Sequence, residues 1–172
     1  MTTEPDLSPS PWQDGVPYVL WRAQQAVHGR AQEALDGLGV TVTQLGLAVH
    51  LDELGLMSAS DLSRRFHITP QSVTTALNRL EQLGWVRRRP HPVHKRVIWY
   101  ELSETGLAGV ADGRTRMAAV GAAIGEILGK SAEAALVGEL RRIVTALDGE
   151  DPPAEPMWPV PGMTGPGPRG TG

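Results

Sequence analysis

Five polar residues recur along one side of ITPQSVTTALNRLEQL (residues 68–83): Gln71, Thr74, Thr75, Asn78 and Gln82. At 100° per residue they share a helix face, with Ser72 and Arg79 on its flank. Amides and hydroxyls of this reach can hydrogen-bond base edges in a major groove, or the phosphate oxygens beside it. The opposite side carries Val73, Ala76, Leu77, Leu80 and Leu83 at three- and four-residue steps, the stripe of a helix that buries one face. An ordinary amphipathic helix would show the same stripe. The polar face is nearly uncharged, however, which is unusual for a helix that only meets water, and the flanking segments bear on the choice.

Those segments must position the face. Thr69 is placed to cap the helix, and Pro70 at its first position loses only an N–H that had no partner. Upstream, Ser58-Ala59-Ser60-Asp61 has the spacing of a capping box and opens a short helix over about 59–66, with Leu62 and Phe66 on its buried side. His67 and Ile68 make a tight connection, so the two helices form a helix-turn-helix pattern. Downstream, Gly84 is placed as a helix stop. Residues 85–89 and 96–102 are rich in strand formers, and Pro90 and Pro92 between them are expected to keep the loop out of the strands. The loop, or wing, carries His91, His94, Lys95 and Arg96. A basic loop beside a polar helix suits phosphates and a minor groove.

Charge is distributed accordingly. Residues 58–101 hold eight Lys/Arg against three acids, a local +5, while the rest of the chain carries −8 and the whole −3. The global acidity hides a basic segment that coincides with the motif, and this points to a polyanion.

The stretch LSRRFHITPQSVTTALNRLEQLGWV, a wing of the form R-x-P-x-P-x-x-K-R and the strand YELSETG closing on Gly106 resemble the MarR family of winged-helix regulators. The resemblance covers about 16–147 and is most specific over 58–106. It implies a mainly α (α+β) fold: a winged helix-turn-helix with a two-stranded β wing, and a helical dimerisation region built from both termini. It also implies a homodimer on a pseudo-palindromic double-stranded DNA operator, and a cleft that takes a small aromatic or anionic effector. On this basis Gln71, Thr74, Thr75 and Asn78 face the bases. Ser72, Arg79 and Arg88 serve phosphates, Lys95 and Arg96 lead the wing, and Thr69 and His94 join the DNA-facing set. The chain departs from the family in two places. The family's wing usually carries acids where His91 and His94 stand, and often has Arg where Thr75 stands. The two histidines would add phosphate contacts below about pH 6.5.

The expected organisation is a flexible arm over 1–13, one domain over 14–148 and a disordered tail over 149–172. Within the domain, the winged helix-turn-helix covers about 42–103 and the dimerisation helices about 16–36 and 104–148. In the first helix Tyr18 and Trp21 are candidates for a dimer anchor or for core. Thr43 is expected to open the second helix, in which His50 reads as a packed histidine. Gly121, Gly125 and Gly129 place small residues on one face of the helix after the wing, suiting a close helix crossing in a dimer; Arg114, Arg116 and Glu126 are incompatible with a membrane span. Seven prolines and five glycines in the last 22 residues leave no means of building a core, and Trp158 in PMWPVP is at most a peptide-type recognition element.

The chain has no cysteine, so disulfides, thiolate metal sites and cysteine-oxidation switches are excluded. No phosphate loop, nucleophile elbow or dinucleotide fingerprint occurs, and no cofactor or enzymatic activity is expected. His91-x-x-His94 is a poor metal site without an acid or thiol nearby. No 18-residue apolar run or leader pattern is visible, so a cytoplasmic protein without membrane contact is expected. The readings that follow are a DNA-binding regulator, in particular a ligand-responsive homodimeric repressor, or a winged-helix protein-interaction module without a specific DNA target. A small-molecule carrier is a third.

Overall fold

A computed structural model describes residues 11–90 and 96–148. His91, Pro92, His94, Lys95, the tail with Trp158 and most of the N-terminal arm lie outside the described residues. After a 3-10 turn at Pro11–Asp14, the chain runs α1 (Val16–Leu35), α2 (Val42–Leu54), β1 (Met57–Ser58), α3 (Ala59–Phe66), α4 (Pro70–Gln82), β2 (Val86–Pro90), β3 (Ile98–Leu102), α5 (Glu104–Leu128) and α6 (Lys130–Asp148). No single described helix is long and apolar enough to cross a membrane.

The caps show why the elements begin where they do. Ser58 and Asp61 form the expected reciprocal capping box at α3, and the Thr69 hydroxyl accepts from the Ser72 amide at α4. The second helix departs from expectation, because Thr41 and not Thr43 caps it. Thr41 has Gln44 three residues on, and the two side chains satisfy each other's backbone amides. Thr43 has no such partner and sits in the first turn.

A single core joins α2, α3 and α4 to the sheet and to α5, with Leu35, Leu45, Leu47, Leu62, Leu77 and Leu80 fully enclosed. The expected packed role of His50 is met. Its Nδ1 lies 3.1 Å from the Gly46 carbonyl, which makes Nδ1 the protonated nitrogen, and its ring rests 4.5 Å from that of Phe66.

The sheet has three strands in the order β1-β3-β2, all antiparallel. β1, only two residues long, adds a strand to the two expected. Pro90 was expected to stay out of the strands, yet it ends β2 opposite Ile98. It can do so because β2 is an edge strand and Pro90 is its last residue, where a missing N–H breaks no internal ladder.

Glycines on α5 set its approach to the rest of the fold. A β-carbon on Gly106, Gly109 or Gly113 would stand 2.1 Å from the Trp85 carbonyl oxygen, 2.3 Å from the Trp85 ring and 2.5 Å from Leu45 respectively. The expected Gly121/Gly125/Gly129 face has a different character. Gly121 has open space around it, Gly125 meets Glu133 of α6 in the same chain, and Gly129 ends the helix at φ 76°.

Candidate nucleic-acid interface

The helix-turn-helix connection is built from local chemistry. α3 ends on His67 in the left-handed region at φ 50°, and the Ser63 hydroxyl reaches across the turn to donate to the Ile68 carbonyl at 2.6 Å. α4 then starts on the Thr69 cap. Val73, Ala76, Leu77 and Leu80 are buried, which sends the opposite face outward. Gln71, Thr74 and Thr75 are exposed as expected, and Asn78 is half-buried.

Hydrogen bonds already made decide what each of these residues can offer. The Thr69 and Ser72 hydroxyls are 2.8 Å apart and bound to each other, and Thr74 donates its proton to the Pro70 carbonyl at 2.8 Å. Thr74 therefore offers a ligand an acceptor oxygen and a methyl. Gln71 and Thr75 make no side-chain hydrogen bond among the described residues, so they keep both donor and acceptor.

The end of α4 is tied to the wing. Gly84 turns at φ 73°, and the Trp85 amide bonds back to the Leu80 carbonyl. Ser103, buried at the start of α5, donates its hydroxyl to the Gly84 and Trp85 carbonyls and accepts from the Gly106 amide. Beyond it, β2 and β3 alternate. Val86, Arg88 and Tyr100 share one side of the sheet, and Arg87, Arg89, Trp99 and Glu101 the other. From the first side Arg88 Nη2 donates to Asn78 Oδ1 at 2.7 Å and pairs ionically with Glu81 at 2.8 Å, with its guanidinium 5.8 Å from the centre of the Tyr100 ring. Arg88, expected to serve a phosphate, thus clamps α4 to the wing strand β2. Glu81, which the sequence reading left out of the site, completes the clamp.

The local +5 can now be assigned to particular residues. Each of the three acids in the segment holds one arginine: Asp61 holds Arg64, Glu81 holds Arg88 and Glu101 holds Arg89. Arg65, Arg79, Arg87 and Arg96 are exposed and make no ion pair among the described residues. Arg65 and Arg87 were counted in the charge but not singled out, since sequence alone does not say which of several neighbouring arginines an acid engages. Arg79, expected to serve a phosphate, and Arg96, expected to lead the wing, are thus left without an acid among the described residues, with Arg96 in a turn just before β3. No group of three or more His, Asp or Glu able to hold a metal occurs among the described residues.

A capped short helix, a tight turn, a second helix with an open polar face and a two-stranded wing define a winged helix-turn-helix. Residues 38–97 match the model of the MarR family. The HTH-type transcriptional repressor MdtR of Bacillus subtilis is 29% identical over 82 residues, 48% of this chain and 53% of that one. A mutant MarR from E. coli complexed with operator DNA shares the fold at a TM-score of 0.71 and 20% identity, over 78% of this chain and 99% of that one. The transcriptional repressor CouR, bound to a 23-mer DNA duplex, does so at 0.76 and 22%, over 81% and 99%. Over residues 38–97 the winged helix-turn-helix of this chain is thus similar to that of the MarR family. Its matches to the first curated relatives span about half of their length or less.

Proposed function

We propose that the protein is a sequence-specific double-stranded DNA-binding regulator, a homodimeric repressor released from its operator by a small ligand. The observation that carries this reading is the pairing of an open polar face on α4 with four arginines that no acid among the described residues neutralises. A helix shaped only to meet water has no need of both. In this reading Gln71, Thr75 and Asn78 contact bases and Thr74 offers its oxygen or methyl. Arg79, with Arg65 and Arg87, neutralises phosphates, and Arg96 leads the wing toward the minor groove.

Dimerisation is supported by the terminal helices. On α1, Val19 and Trp21 are exposed, and on α6 Leu136, Val137, Val144 and Leu147 are exposed and no residue among those described is buried. An apolar surface of this kind asks for a partner helix. An effector is supported by a cavity of about 1020 Å³ between α1, α5 and α6, lined by Val27, Ala31, Met117, Val120 and Ile124, with His28 and Lys130 at hand.

Selection from a randomised duplex pool at near-physiological salt tests the reading. Enrichment of a pseudo-palindrome with half-sites about one helical turn apart is the expected result. Binding without any enriched sequence, lost as salt rises, would leave only nonspecific attraction and favour a protein-interaction module.

A further inference from the structure

We propose that Asn78 meets DNA as a hydrogen-bond donor only, fixed by Arg88 and Glu81, so that the operator position it faces carries an acceptor edge: guanine, not adenine.

This rests on the DNA-binding reading above and sharpens it. A guanidinium has donors and no acceptor, so the Asn78 atom 2.7 Å from Arg88 Nη2 is necessarily the amide oxygen. The orientation of this amide is therefore set by chemistry. Oδ1 is turned toward the wing, and the two Nδ2 protons are left for whatever lies beyond α4.

Arg88 has little freedom to swing away. The same Nη2 lies 2.8 Å from a Glu81 carboxylate oxygen, an ion pair that holds the guanidinium in place. Glu81 lies one turn beyond Asn78 on α4, so oxygens from two successive turns hold one nitrogen. The guanidinium also rests over Tyr100, its direct cross-strand neighbour on β3, and Tyr100 is buried. Arg88 is thus a positioning residue for Asn78, and Glu81 for Arg88.

Base chemistry turns that orientation into a preference. An asparagine pairs with adenine by accepting from N6 while donating to N7, and so must present oxygen and nitrogen side by side. Arg88 takes one Oδ1 lone pair and turns the oxygen toward the wing, so Asn78 presents its Nδ2 protons outward and not that pair. Guanine shows two acceptors, N7 and O6, in the major groove, which the two Nδ2 protons match. Thymine offers a single acceptor, O4, and so matches only one of the two protons, and cytosine offers a donor and is excluded.

The experiment is the randomised-duplex selection run on the full chain and on three variants. Wild type should enrich guanine at one position in each half-site, and Asn78→Ala should erase the preference there alone. Arg88→Met frees Oδ1 and should move that position toward adenine by roughly tenfold in relative enrichment. Glu81→Gln should move it the same way by less, and decides the matter if Arg88→Met does not fold. Adenine at the Asn78-dependent position in wild type overturns the inference, as does a guanine preference that survives in the folded clamp variants or an Asn78→Ala profile identical to wild type. Those outcomes leave the DNA-binding reading standing. A wild-type pool with no enriched sequence removes both.

Discussion

Gly109 of α5 lies so close beneath the indole of Trp85 that a β-carbon there would stand 2.3 Å from the ring. Trp85 is buried, hydrogen-bonds through its amide to the end of α4 and leads directly into β2. The long helix after the wing therefore meets the helix-turn-helix through a glycine that admits the ring. Gly109→Ala should destabilise the fold by about 1–3 kcal/mol, because overpacking outweighs the gain in helix propensity. Gly121→Ala, with nothing within 4 Å, should instead stabilise by up to about 1 kcal/mol. Urea unfolding of the two variants beside wild type checks the contrast. Equal effects would mean that Trp85 does not constrain α5.

The cap of α3 makes part of the stability pH-dependent. The Ser58 hydroxyl, which donates to Asp61 Oδ2 at 2.6 Å, is the main cause that lowers the Asp61 pKa. Partial burial opposes it, and the Ser58 amide and Arg64 assist. A lowered folded-state pKa gives stability that is fully present above the unfolded value, about 3.9, and is lost as pH falls through the folded value. Ser58→Ala should cost about 1 kcal/mol at pH 7 for the cap itself. The gap to wild type should narrow at pH 3, where Asp61 is increasingly protonated in both proteins. An unchanged gap at the two pH values would disconnect Asp61 from the cap.

Periodicity and capping chemistry carry most of the fold in this chain. Thr69-Pro70, Ser58 with Asp61, and Ser103 each announce a helix start within a few residues, and four of the five stripe residues, Val73, Ala76, Leu77 and Leu80, are buried on α4, with Leu83 half-buried at its C-cap. What stayed hidden is non-local. β1 has two residues, too few to show a period, and exists only because Tyr100 and Trp99 pair with it. The close-packed glycines proved to be 106, 109 and 113, whose neighbours, Trp85 and Leu45, are distant in sequence. In the site, the polar face could be read from spacing, whereas the Arg88 clamp required knowing that β2 turns its even-numbered residues toward α4. An arginine triplet such as Arg87-Arg88-Arg89 looks uniform until strand alternation separates its members.

That separation has a consequence for salt dependence. If unpaired arginines meet phosphates, Arg79→Ala and Arg87→Ala should each weaken operator binding across sequences and reduce the salt slope by about 1 per protomer. Arg89→Ala should change the slope much less, because Arg89 holds Glu101 at 2.6 Å. Fluorescence anisotropy titrations across a range of salt concentrations measure all three. A slope that falls equally for Arg87 and Arg89 would mean that the ion pairs open on DNA.

The outward face of α6 makes the last prediction. Leu136, Val137 and Val144 are 43%, 42% and 39% exposed within one chain, so a polar residue at any of them costs the single chain little. In a dimer seated on that face the same change would bury a charge without a partner, which is severely unfavourable. Val144→Asp should therefore leave helix content intact while shifting the protein from dimer to monomer in sedimentation. Operator affinity should fall with it, since one reading helix would then hold only one half-site. A variant that remains dimeric at wild-type affinity would place the dimer contact elsewhere, and α1 with its exposed Val19 and Trp21 would be the next face to alter.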